Sequence, residues 1–187
     1  MSRREATLSD PEFILLGDAV WIDFINTARG READPPDGLG DASAYHRWTK
    51  AEKLGSDAED LPFEQVLAFR ARLLTVAAAL SVDRQPPAAA IHEINQVLSR
   101  TAGRQQLTRV GGAWHLGFAP LRTATALEAI AGSAAHTLSD PAVRVHRCRA
   151  EPCSLYFVDR SPDHGRTWCS AEPGVHAVRV DRRRAFH

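Results

Sequence analysis

The feature that most constrains this chain is where its thiols lie. Its 187 residues hold three cysteines, all in one 22-residue stretch near the C-terminus: Cys148, Cys153 and Cys169. An odd cysteine count does not make a disulfide framework. The N-terminus offers no apolar run long enough for a secretory signal, so the thiols are expected to stay reduced in the cytoplasm. Four residues separate the first two cysteines and fifteen precede the third, which is the spacing of a zinc site. Pro152 belongs to the tight turn of the first pair, Leu155 to Asp159 reads as a short strand leaving it, and a turn over Ser161 to Gly165 brings Cys169 back.

A structural zinc takes four ligands. His176, seven positions after Cys169, is the expected fourth, with His164 and His146 as alternatives. Two other readings stay open on the same residues. In one no metal binds, and Leu155, Phe157 and Trp168 hold the hairpin by packing. In the other the zinc is catalytic, as in a small hydrolase, with Glu151 or Glu172 as general base.

The formal net charge is zero, yet residues 1–140 carry 14 basic against 18 acidic side chains, and residues 141–187 carry 9 against 5. A basic module on an acidic body points to an anionic partner. Arginine supplies 21 of the 23 cations and suits planar contacts to phosphate. Arg166 and the tail residues Arg179, Arg182, Arg183 and Arg184 are the expected nucleic-acid contacts. No aromatic residues interleave with the tail arginines, which favours double-stranded DNA over a single strand.

The body, residues 1–140, reads as helical. After a turn at Gly17, Asp18 to Thr27 is a short buried helix, and the Gly- and Pro-rich stretch from Arg29 to Asp41 is a loop. Ser43 is expected to cap a helix through Trp48 to Leu54, stopped by Gly55. Asp60 and Pro62 open the strongest helix, with Phe63, Val66, Leu67, Leu73, Leu74, Ala77 and Leu80 on one face. A further helix follows Pro86-Pro87, with Ile91, Ile94, Val97 and Leu98 inward. Residues 105–118 form a β-hairpin around Gly111-Gly112, and a last helix runs from Leu121 to Leu138. Asp23, Asn26 and Thr27 are polar groups in an apolar segment. They cap neighbouring backbone, or Asp23 and Asn26 line a ligand pocket walled by Trp21 and Trp48. Asp18 and Asp23 break the early apolar stretches, which excludes a transmembrane helix there.

Two distant motifs then coincide. Ile14-Leu-Leu-Gly17 followed by Trp21-Ile-Asp-Phe-Ile-Asn-Thr27 resembles the opening of the CGNR zinc-finger family. Arg147-Cys148, Cys153, Phe157, Asp159 and Ser161, then Arg166-Thr-Trp168-Cys169-Ser170, are similar to that family's finger. The resemblance covers about residues 12 to 170. Where the family continues to a fourth cysteine and Gly-Asn-Arg, this chain has Gly174 and then Val175-His176-Ala177. The resemblance implies a bacterial transcription regulator, not an enzyme, with a structural zinc and a DNA-binding finger. The expectation is therefore a mainly α protein with small β elements: a helical domain with one hairpin over 1–140, and a zinc-knuckle or ribbon-like module over 141–187. A small-molecule effector in the body and a homodimer are the further partners expected. The alternative is a member without DNA binding that acts as a ligand- or protein-binding module.

Overall fold

Helix α1, Val20–Asn26, is short and buried on every side from Trp21 to Asn26. A helix buried on every side lies at the centre of a domain, and α1 packs on α5 (Ala126–Ser139), on α3 (Phe63–Leu80) and on strand β4 (Tyr156–Asp159). The computed structural model describes residues 13–16, 18–55 and 62–170. The expected turn at Gly17, the Asp60 start signal, Glu172, Gly174, His176 and the tail arginines lie outside the described residues.

Around α1 stand α2 (Ala42–Ala51), α3, α4 (Ala88–Leu98) and α5, so the body is helical. Val66, Phe69, Leu73, Val76 and Ala77 form the buried face of α3, a shifted version of the face read from spacing, with Phe63, Leu67, Leu74 and Leu80 half-buried at its margin. Arg70 is buried on that face as well. It reaches Thr27 Oγ1 at 2.8 Å and grips the Asp37 carboxylate with both terminal nitrogens, which ties the Gly- and Pro-rich loop to the helices. Burial pushes the Asp37 carboxyl up, but the hydrogen bonds from Arg70 and Leu39 outweigh it and hold it below its ordinary range.

Helix starts follow caps more than apolar spacing. Asp41, not Ser43, caps α2, accepting from Ala44 N–H at 2.7 Å, and α2 ends at Ala51, with Lys53 rather than Gly55 turning the chain through a positive φ of 58°. Helix α5 begins at Ala126 because Thr125 and Glu128 form a reciprocal capping box, five residues after the start read from the sequence.

Two antiparallel hairpins complete the fold. Strands β1 (Gly103–Val110) and β2 (Ala113–Pro120) flank Gly111-Gly112, whose φ values of 58° and 88° suit a tight hairpin turn. Strands β3 (Arg144–Arg147) and β4 pair through Val145↔Val158 and His146↔Phe157. Both faces of this second hairpin are covered. Val145, Tyr156 and Val158 join the helical core, while Leu155 and Phe157 pack with the three cysteines in a smaller core. The main core therefore runs across residue 141, from the helices into the C-terminal module. No helix of the described residues is long and apolar enough to cross a membrane.

Candidate metal centre

Cys148 follows β3, Cys153 precedes β4, and a knuckle turn joins them. Cys148 N–H donates to Leu155 O at 2.8 Å, and Cys153 N–H donates back to Ala150 O at 2.7 Å. The turn is anchored from both sides. Arg149 N–H reaches Thr167 O at 3.1 Å, and Ser154 N–H reaches Gly30 O at 2.8 Å. The loop after β4 delivers Cys169, whose N–H points at the Cys148 sulfur from 3.5 Å.

The result is three buried thiols whose sulfurs lie within 4.8 Å of one another, with Cys153 and Cys169 sulfurs 3.9 Å apart. Zinc–sulfur bonds of about 2.3 Å in a tetrahedron put sulfurs about 3.8 Å apart. The donor set and its spacing fit zinc. The Cys169 thiol is pushed up from its ordinary range by its hydrogen bond with Cys153, by burial and by the two neighbouring sulfurs. A divalent cation among the three reverses that balance and favours thiolates.

Arg166 behaves differently from a phosphate contact: all three of its guanidinium nitrogens donate inside the protein. Nε reaches Trp168 O, Nη2 reaches Cys169 O at 2.8 Å, and Nη1 reaches Val158 O and both oxygens of Asp18. Its planar head lies 4.6 Å from the centre of the Phe157 ring. Arg166 thus fastens the loop bearing Cys169 to β4 and to the segment before α1. Burial pushes the Asp18 carboxyl up from its ordinary range, and the Arg166 pair offsets only part of this. Asp159, also buried, accepts from the N–H groups of Ser161 and Arg166 and fixes the turn between β4 and Cys169.

The four residues considered as a ligand pocket are core. Trp21, Asp23, Asn26 and Trp48 are each at most 1% exposed. Trp21 Nε1 donates to Thr137 Oγ1 at 2.9 Å, and Trp48 packs with Phe24 and Tyr45. Asp23 accepts from Leu16 N–H at 2.7 Å and hydrogen-bonds Glu52, whose carboxyl burial pushes up. Asn26 pairs with both backbone groups of Tyr156 at 2.9 Å, acting as a one-residue extension of the β3–β4 sheet.

Sequence reasoning named Arg147 only as part of the finger motif and passed over Arg149. Both are exposed and line a cleft of about 950 Å³ between the end of α3 and the knuckle, together with His146, His164, Cys148 and Cys153. The signal was their place on either side of buried Cys148, since neighbours along an extended segment point away from the side its middle residue takes.

Residues 18–141 match the family model ABATE, described as "Putative stress-induced transcription regulator", and residues 144–185 match the CGNR zinc finger. Neither is an enzyme family. No curated protein matches the sequence. With helices, knuckle and converging thiols where these two matches fall, the chain belongs to the ABATE family, and the CGNR-finger match together with the buried three-cysteine cluster supports zinc binding.

Proposed function

We propose that this chain regulates transcription by binding double-stranded DNA through a zinc-stabilised C-terminal module. The observation that carries the reading is the cluster of three buried thiols at zinc spacing, in a module with exposed arginines on its rim. Cys148, Cys153 and Cys169 hold the metal and His176 completes a Cys3His set, a donor combination of structural zinc. Arg147 and Arg149 at the rim, with Arg179, Arg182, Arg183 and Arg184 of the tail, contact phosphate. The helical body sets the finger's orientation through Asn26, Ser154 and Arg166, since each bridges the two parts. In this reading the zinc is not catalytic.

Native mass spectrometry and DNA titrations against salt test both halves. We expect one zinc per chain, lost in Cys153→Ser and His176→Ala and kept in His164→Ala. DNA affinity is expected to fall steeply with salt, and replacing Arg182, Arg183 and Arg184 together by Ala to flatten the log–log slope by about three. Protein that is folded but metal-free sinks the zinc assignment. Zinc-loaded protein that ignores DNA at low salt sinks the DNA assignment, and leaves a ligand- or protein-binding module.

A further inference from the structure

The β1–β2 hairpin is the part of the molecule that neither core nor metal centre uses. Its register puts Gln105, Leu107 and Arg109 of β1 on one face with Trp114, Leu116 and Phe118 of β2. Phe118 lies over Gly103, its ring in the space a side chain there would occupy. Leu107 and Leu116 sit directly opposite each other at the centre. The four apolar side chains of this face are between 59% and 68% exposed. Among the described residues, six of the eight exposed large hydrophobics belong to this hairpin or to Leu121 just after it. A lone two-stranded hairpin is marginal in water, and an apolar patch of this extent on a soluble chain marks an interaction surface.

We infer that this face packs on the same face of a second copy, making a two-fold dimer. Area supports it. Each of Leu107, Trp114, Leu116 and Phe118 leaves on the order of 100 Å² open. The stems of Gln105 and Arg109 with Pro120 bring one copy to about 600 Å² and a pair to about 1,200 Å², the lower end of stable interfaces. The pattern across the patch supports it too: leucines at the centre and polar Gln105 and Arg109 towards the ends is the layout of an apolar interface core with a polar rim.

Charge agrees. Arg109 is the one charged residue on this face and lies near the turn. With the hairpins antiparallel about a two-fold axis through the leucines, the two Arg109 side chains fall at opposite ends, about 14 Å apart along the strands at 3.4 Å per residue. That exceeds the screening length of about 8 Å at physiological salt. The chain's formal charge of zero removes long-range repulsion between copies. The hairpin's other face, with Arg104, Gln106, Thr108 and His115, stays free.

Light scattering and sedimentation equilibrium of the full chain, between about 1 and 100 μM, test the inference. We expect the native chain to be dimeric in this range. The double variant Leu107→Glu/Leu116→Glu should be monomeric throughout, with affinity reduced at least a hundredfold, and Trp114→Ala should weaken it at least tenfold. Val82→Glu, an exposed apolar site off the hairpin, should leave the dimer intact. These side chains lie outside both cores, so circular dichroism should not change. If the double variant loses its dichroism, Trp114→Ala, which only removes area, decides the matter. A native chain that stays monomeric at 100 μM overturns the inference and assigns the face to a different partner. A dimer that survives both hairpin variants overturns it as well. Zinc content is read separately, so failure here leaves the metal assignment standing.

Discussion

Asn26 makes two hydrogen bonds across 130 positions of sequence, to the N–H and the carbonyl of Tyr156. Together with Asp23 on Leu16 N–H and Thr27 accepting from Arg70, it explains the polar residues of the Trp21 to Thr27 motif: they are joints between α1 and what surrounds it. Replacing Asn26 by Ala strands two buried backbone groups, at about 1–3 kcal/mol each. We predict a loss of about 3 kcal/mol in urea denaturation, together with weaker zinc retention, because β4 leads out of the knuckle. An Asn26→Ala chain as stable as the native one would show that the bridge is not a joint. Arg166 teaches the same lesson. Its residue type announced a cation, but only its neighbours decide whether that cation faces phosphate or Asp18.

At the scale of elements, periodicity located the helices and capping chemistry set their ends. Thr125 and Glu128 satisfy each other's backbone groups at the start of α5, and Arg122 adds a bidentate pair to Glu128. Thr125→Ala should cost about 1 kcal/mol and lower Tm by roughly 2–4 °C for a chain of this size. A thermal melt unchanged within error would contradict the capping box. The Gly111-Gly112 hairpin was legible because a two-residue turn demands positive φ at both positions. Strand β3 was not read from the sequence, since four residues alternating Arg-Val-His-Arg carry too little pattern to stand out from a loop.

For the whole molecule, stability against pH follows from carboxyls whose shifts run in opposite directions. The Arg122 hydrogen bonds, against burial, hold Glu128 below its ordinary value of 4.5, and Asp37 is likewise held below 3.8. Groups lowered by folding contribute stability above their unfolded values, and lose it as pH falls through the folded ones. Burial raises Glu52, so its contribution runs the other way: it is present at acid pH and lost as pH rises through the raised value. We predict that Glu52→Gln raises Tm at pH 7 but not at pH 4, and that Asp37→Asn flattens the acid limb of unfolding. Tm measured across pH 3 to 8 checks both. A Glu52→Gln effect equal at the two pH values would mean the carboxyl is not perturbed by burial.

The sequence by itself determined the secondary structure class, the tight hairpin turn and the clustering of three thiols, because each depends on residues close in the chain. Spacing of four and fifteen residues is enough to bring cysteines together around one knuckle, and apolar residues at three and four are enough to make a helical face. Tertiary structure alone decided the rest. It put Trp21, Asp23, Asn26 and Trp48 in the core and turned Arg166 inward while Arg147 and Arg149 face out. It also joined the finger's sheet to the helical core across residue 141. Each of these turns on partners more than a hundred residues apart or on which face another element covers, and burial of a polar group is settled only by the partner that satisfies it.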